Sequence, residues 1–260
     1  MKTHHLVHPP RSVAAALALA GGLLMSPLAG AAVCEATSGA SPLVVVELYT
    51  SEGCSSCPPA DRWLSTLNDQ PGILPLAFHV NYWDRLGWQD RFATPATTQR
   101  QHQVRAVQNG KYIYTPQVVL NGQDYRDWRG KTPATLVKTS PSQPSPLPVL
   151  KLSREGHRVT ATVGATDGAP TLSGFWAVLQ DGLVSQVTRG ENAGETLVHD
   201  HVVSLYQPVP AWAADRPHRM QLQLPEGPSF DALRVAFVVT RPDGVQPVQG
   251  AVLRCPPDKR

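Results

Sequence analysis

Cys54 and Cys57 stand three residues apart in a sequence of 260 that holds only two other cysteines, Cys34 and Cys255. In thiol–disulfide exchange a thiolate attacks a disulfide sulfur, and a second thiol close behind resolves the mixed disulfide that forms. Cys54 has the place of the attacker and Cys57 that of the resolver. Ser55 and Ser56 between them bring hydrogen-bond donors but no charge. Glu52 opposes thiolate formation at Cys54, which argues against a strong oxidant. Two other chemistries fit the same pair: a permanently closed structural disulfide, or a site for a soft cation such as copper(I) with His79 as third ligand. His199 and His201, two apart in an expected strand, would face one side and could form a second site. A histidine satisfied by hydrogen bonds is the simpler reading of each. No second C-x-x-C or H-x-x-x-H supports zinc.

The elements that must position this pair are legible around it. Val44, Val45, Val46 and Leu48 read as a buried strand, and Tyr49 to Gly53 as a loop that delivers the cysteines. Pro58 and Pro59 suit a first helical turn, and Ala60, Trp63, Leu64 and Leu67 recur at helical spacing. Cys54 is therefore expected at or just before a helix N-terminus, reachable from solvent, where the helix dipole and free N–H groups favour a thiolate. Asn68 to Gly72 turns the chain into a second strand, Ile73 to Val80, which completes a β-α-β unit. The segment His79 to Phe92 is aromatic and charged without clean periodicity. It is either an irregular insertion that packs Tyr82, Trp83 and Trp88 on the domain, or a wall of the groove beside the cysteines. Thr94-Pro95 opens a polar helix from Ala96 to Gln108, Tyr112 to Gly122 reads as a strand with an Asn-Gly hairpin signal, and Thr132-Pro133 opens a short helix.

Composition changes after residue 139. Residues 140–148 form a Pro/Ser-rich linker, and short strands separated by Asp-Gly turns follow to the end of the chain. That spacing predicts an antiparallel β-sandwich-like domain over residues 149–260, of immunoglobulin-like type. Gly190 to Glu195 lies between two of its strands. No helix pattern or lysine accompanies it, so it reads as a constrained loop, one placed to touch the first half, and not as a phosphate cradle.

Residues 1–32 have the grammar of a secretory signal: Lys2 and Arg11, an apolar run from Val13 to Met25, and Ala29-Gly30-Ala31 at the expected cleavage point. The run is too short for a convincing membrane span. Its loss takes the formal charge from +3 to about +1, because no acid leaves with the two basic residues, and nothing then suggests nucleic acid or an anionic membrane as partner. A periplasmic or secreted location permits disulfides, and Cys34 and Cys255, at the two ends of the mature chain, are expected to pair as a structural bridge.

A strand, a Cys-x-x-Cys loop and a helix resemble the active-site arrangement of thioredoxin-like proteins. That resemblance implies a thioredoxin-like α/β domain over residues 33–139, with an insertion. It also implies that the Thr115-Pro116 bond is cis, sits against the cysteines and orients the backbone of an incoming peptide. Thioredoxin itself has a tryptophan before the first cysteine, where this chain has Gly53, and Gly-Pro where it has serines, which leaves redox potential and direction open. At a finer level ELYTSEGCSSCPPADRWL (Glu47 to Leu64), YWDRLGWQDRF (Tyr82 to Phe92), YTPQVVLNG (Tyr114 to Gly122) and RGENAG (Arg189 to Gly194) resemble the secreted bacterial family catalogued as domain of unknown function 1223. The family name carries no reaction. The expectation is an exported thiol–disulfide oxidoreductase that needs no cofactor and acts on protein thiols or disulfides through Cys54, Cys57, Thr115 and Pro116. The alternative is copper(I) binding or delivery through Cys54, Cys57 and His79.

Overall fold

The valine-rich run that leads to the cysteines is a strand whose seven residues are all buried, held between a parallel and an antiparallel neighbour. The structure, a computed structural model, describes residues 1–2, 34–139, 146–225 and 233–255. The expected leader, apart from its first two residues, and the linker up to residue 145 lie outside the described residues.

In chain order the elements are β1 (Cys34–Thr37), β2 (Val44–Thr50), α1 (Pro58–Ser65), β3 (Ile73–His79), a 3-10 helix (Asn81–Leu86), α2 (Pro95–Val107), β4 (Gln117–Leu120), β5 (Gln123–Asp124) and α3 (Pro133–Thr139). There follow β6 (Leu150–Glu155), β7 (Arg158–Val163), β8 (Thr171–Gln180), β9 (Leu183–Gln186), β10 (Thr196–His199), β11 (Val202–Ala213), β12 (His218–Gln223), β13 (Arg234–Thr240) and β14 (Pro247–Arg254). Among the described residues these strands make an eight-stranded sheet in the order β14-β13-β8-β11-β3-β2-β4-β5, a four-stranded sheet β1-β6-β7-β12, and the pair β10-β9. The protein is a mixed α/β fold dominated by antiparallel sheets.

Alternation of side chains explains the layers. On β8, Leu172, Trp176 and Val178 face a core shared with Leu150, Leu152, Val159 and Ala161 of the four-stranded sheet. Phe175, Ala177 and Leu179, on the opposite face, join Val45, Tyr49, Leu76 and Phe78 of β2 and β3. The other face of β2, with Val46 and Leu48, packs on Ala60, Trp63 and Leu64 of α1 and on Leu136 of α3. Residues 33–139 and 149–260, expected as two domains, thus share one sheet and one core, and the described residues from Cys34 onward pack as one unit. The β-rich half is no free-standing sandwich, because its larger sheet runs on through β11 into β3, joined at Val202 opposite Ala77 and by the Ala77 amide donating to the His201 carbonyl at 2.8 Å.

A buried ion pair crosses this junction. Arg100 of α2 donates to both carboxylate oxygens of Glu47 on β2, at 2.7 and 3.1 Å, and its third nitrogen donates to the Gly244 carbonyl in the β13–β14 turn at 2.5 Å. Gly244 stands at φ +73°, and a Cβ there would lie 2.5 Å from Nε2 of Gln103 on α2. The positive φ favours glycine at that turn, and a larger residue would also displace the Gln103 amide.

Candidate functional site

Pro58 and Pro59 open α1 at its first turn, where their missing N–H groups cost nothing. Cys57 is the N-cap, so the helix begins beneath the second cysteine and not beneath Cys54. Cys54 sits in the preceding turn, where its amide donates to the Ser51 carbonyl at 3.1 Å and its carbonyl accepts from the Cys57 amide at 3.1 Å. The two sulfurs are joined as a disulfide. Both cysteines are 0% exposed, which corrects the expectation of a solvent-facing Cys54; Ser55 and Ser56 are the exposed members of the motif.

Three segments cover the first cysteine. The Thr115-Pro116 bond is cis, and the Thr115 hydroxyl donates to the Cys54 sulfur at 3.2 Å. That hydroxyl in turn accepts from the indole N–H of Trp83, at 2.8 Å. Trp83 lies in the 3-10 helix, and a Cβ on Gly53 would stand 3.0 Å from its Cβ, so the tryptophan closes over the loop because residue 53 has no side chain. From the far half, the loop between β9 and β10 reaches over. Asn192 Nδ2 donates to the carbonyls of Glu52 and Cys54 at 2.8 and 3.0 Å, and the Glu191 carboxylate accepts from the Ser55 amide and hydroxyl at 3.1 and 2.8 Å. Gly190 and Gly194, at φ +78° and +93°, make the tight bends that this loop needs.

Beneath the motif lies a buried polar cluster. Glu52 turns its carboxylate away from Cys54, where one oxygen accepts from the Trp88 indole at 2.7 Å and the other lies 3.2 Å from His199 Nε2. Burial pushes its pKa up, yet His199, with Ser185 and Trp88 beside it, more than offsets this and holds it below the usual carboxylate value. The Asp90 carboxylate accepts from the Glu52 amide at 2.9 Å and lies 2.7 Å from His79 Nδ1. Burial works against charge on both partners, and the attraction between them wins: His79 is raised and Asp90 lowered. Asp61, one helical turn beyond Cys57, has its pKa raised by burial against the lowering pull of His79 and His199.

These contacts relocate the histidines. His79 is bound to Asp90, with its ring 4.9 Å from that of His199. His199 ends β10 and serves Glu52, whereas His201 follows a break in the expected strand, at φ +59°, with Nδ1 2.9 Å from an Arg234 nitrogen. The two therefore face different partners and form no joint site. Among the described residues no group of three or more His, Cys, Asp or Glu side chains is arranged to hold a metal. Cys34 and Cys255 form the other disulfide, with Cα atoms 5.8 Å apart.

The expected contact of the Gly190 to Glu195 loop with the first half is present, through Glu191 and Asn192, but sequence reasoning did not single out these two, His199 or Asp90 as members of the site. The signal available was Arg189 to Gly194, a glycine-bounded polar loop with no local role, and the indole-rich segment that supplies Trp83 and Trp88.

Fold and site together define a mixed α/β protein, rich in antiparallel sheet, with a buried Cys-x-x-Cys disulfide beside a cis proline. The chain belongs to the family described as "Protein of unknown function (DUF1223)", which matches residues 45–240. No curated protein matches it. Among solved structures it is similar to the crystal structure of a protein from Agrobacterium tumefaciens, at 23% identity and a TM-score of 0.65, over 86% of this chain and 98% of that one. It is also similar to HBP35 of Porphyromonas gingivalis, at 14% identity and a TM-score of 0.52, over 86% of this chain and 79% of that one. Likeness at these identities concerns the fold.

Proposed function

We propose that the chain is an exported thioredoxin-like thiol–disulfide oxidoreductase that acts on a protein partner through Cys54 and Cys57. The observation that carries this reading is the hydrogen bond from the Thr115 hydroxyl to the Cys54 sulfur, beside the cis Thr115-Pro116 bond. A donor aimed at sulfur stabilises a thiolate over a thiol, and does so at the first cysteine alone. Support for the thioredoxin-like part comes from the parallel β2–β3 pair joined through α1, with the cysteines at the head of that helix. Two disulfides in one chain suit an oxidising compartment such as the periplasm.

In the reducing direction the Cys54 thiolate attacks one sulfur of the partner's disulfide, forms a Cys54–partner bond and releases the other partner sulfur as a thiolate. Cys57, deprotonated, then attacks the Cys54 sulfur, which forms the Cys54–Cys57 disulfide and releases the second partner thiolate. The partner gains two electrons, its two thiolates take protons from water, and a dithiol donor must restore the protein. Oxidation of a partner dithiol is the same path reversed. The backbone of Thr115, whose amide and carbonyl make no backbone–backbone bond among the described residues, offers an edge for the partner's chain. Cys54 is fully buried, so attack on its sulfur requires part of its surroundings to open, and the Asn192 and Glu191 contacts are those that the β9–β10 loop makes there.

Cys57→Ser tests this reading. It should trap a mixed disulfide between Cys54 and a partner in the exported fraction, visible as a band that reductant dissolves. No trapped partner, together with no turnover of a model disulfide by the wild-type protein, would overturn it. For the copper(I) reading through Cys54, Cys57 and His79, the Nδ1 bond to Asp90 leaves Nε2 of His79 without a partner, but no group of three or more His, Cys, Asp or Glu side chains among the described residues is arranged to hold a metal.

A further inference from the structure

A groove of about 450 Å³ opens between Ser56 of the cysteine motif, the cis Thr115-Pro116 bond, and the aromatic and basic side chains of Tyr112, Trp128, Arg126 and Arg129. Its floor is fixed. Trp128 is buried against Trp63, at a ring distance of 5.4 Å, and the Trp63 indole donates to the Lys131 carbonyl at 3.0 Å. Its charges are not neutralised in the same way. Arg129 lies with its guanidinium carbon 4.5 Å above the Trp128 ring, exposed, and has no acidic partner among the described residues. Arg126 is 71% exposed; its Nε donates to Asp124 at 2.9 Å while its guanidinium rests over Tyr114. Asp124, which lines the adjoining cleft, also accepts from the Tyr114 hydroxyl and from Gln117, so that carboxylate is already shared by three donors, and Asp127 is paired with Lys131 at 2.7 Å. Lys111, also exposed, adds a further positive charge at the adjoining cleft. Tyr112 stands 63% exposed at the rim, its ring edge-on to that of Tyr114 at 6.2 Å.

From this we infer that the groove is the specificity site for an acidic, extended segment of the partner protein, next to the partner's reactive sulfur. The inference rests on the oxidoreductase reading for its role, but the binding it describes is separate from turnover. An aspartate or glutamate on the partner would meet Arg129 and the outer nitrogens of Arg126, where planar guanidinium groups pair carboxylates in two-point fashion. Tyr112 and Trp128 give the segment's apolar side chains a rigid surface. Volume limits the contact to a few residues of chain, so an acidic stretch beside the cysteine is the match.

Fluorescence anisotropy with the oxidised wild-type protein tests this without any redox step. The probes are two labelled peptides of about twelve residues, each with serine for cysteine, one carrying aspartates and glutamates and the other the matching asparagines and glutamines. The acidic peptide should bind about tenfold more tightly, the value of one charge-assisted pair, and the difference should shrink as salt rises. Arg129→Glu should abolish the preference, whereas Arg219→Glu, the same charge change at an exposed position of β12, should leave it intact. Equal binding of the two peptides, equal loss in both variants, or equal binding of free glutarate would each overturn the inference. Preference for the acidic peptide in a protein that reduces no disulfide would sustain it and remove the oxidoreductase reading; turnover of a disulfide peptide with no charge preference would do the reverse.

Discussion

At the scale of single residues the site is an arrangement of donors around one sulfur. Thr115 is the donor whose loss is most informative. Thr115→Val keeps the shape and removes the hydroxyl, so the thiolate of reduced Cys54 loses one hydrogen bond. The thiolate should then be less favoured over the thiol, because a hydrogen bond to a charged group contributes about 1.5–3 kcal/mol. Thiolate absorbance against pH in the reduced protein measures this, and an unchanged titration would mean that the bond in the disulfide form does not persist on reduction. Asn192 acts on access instead. Its amide bridges two carbonyls across the covered cysteine, and Asn192→Ala should speed reduction of the Cys54–Cys57 disulfide by dithiothreitol about tenfold, the factor expected when opening costs one or two fewer hydrogen bonds. A rate unchanged in that variant would show that the loop is not what shields the sulfur. The pair Cys54 and Cys57 was legible because its spacing carries its chemistry. The covering residues were not, because Asn192 lies 138 positions from Cys54 and only the fold brings them together.

At the scale of elements, β2, α1 and β3 were readable from periodicity and from the proline pair, while β10 and β11 ran together as one expected strand. The reason is local: Asp200-His201 is flanked by β-formers on both sides, and the turn there depends on contacts from distant residues. The Asp181 carboxylate accepts from the His201 amide at 2.8 Å and from Arg234, whose guanidinium also lies against the His201 ring. Burial and the neighbouring Arg234 charge lower His201 to about pKa 4, outweighing Asp181 and Asp200. A histidine held neutral in the fold stabilises it fully above the unfolded value of about 6.5, and that contribution is lost as pH falls toward 4, because the unfolded chain binds the proton first. Urea unfolding from pH 7 to pH 4 should therefore show a falling midpoint, with a shallower fall in His201→Asn. An equal slope in both proteins would assign the acid sensitivity elsewhere. The Arg100–Glu47 pair couples other elements. Arg100→Met leaves Glu47 charged and buried, and should cost about 3–5 kcal/mol in the same assay.

At the scale of the whole molecule, the change in composition after residue 139 suggested a division that the packing does not make. Polar linkers usually part domains, but here the strands that follow the linker add to the sheet that precedes it, and the site is completed only when the β9–β10 loop crosses back over Cys54. The cysteine motif and its cover are thus tied by the entire chain, and the bond that closes the chain is Cys34 to Cys255. Cys34 begins β1, in the four-stranded sheet, and Cys255 follows β14, at one end of the eight-stranded sheet, so the disulfide links the two layers at their margins. With the two cysteines 221 positions apart, the chain-entropy account gives up to about 5 kcal/mol, acting through the unfolded state and not through the site. The Cys34→Ser/Cys255→Ser protein should accordingly unfold at lower denaturant while its Cys54–Cys57 disulfide is reduced by dithiothreitol at the wild-type rate. A faster reduction in that variant would mean that the layers shift when the margin is released and that the cover over Cys54 depends on the bridge, which would make the outer disulfide part of the control of the inner one.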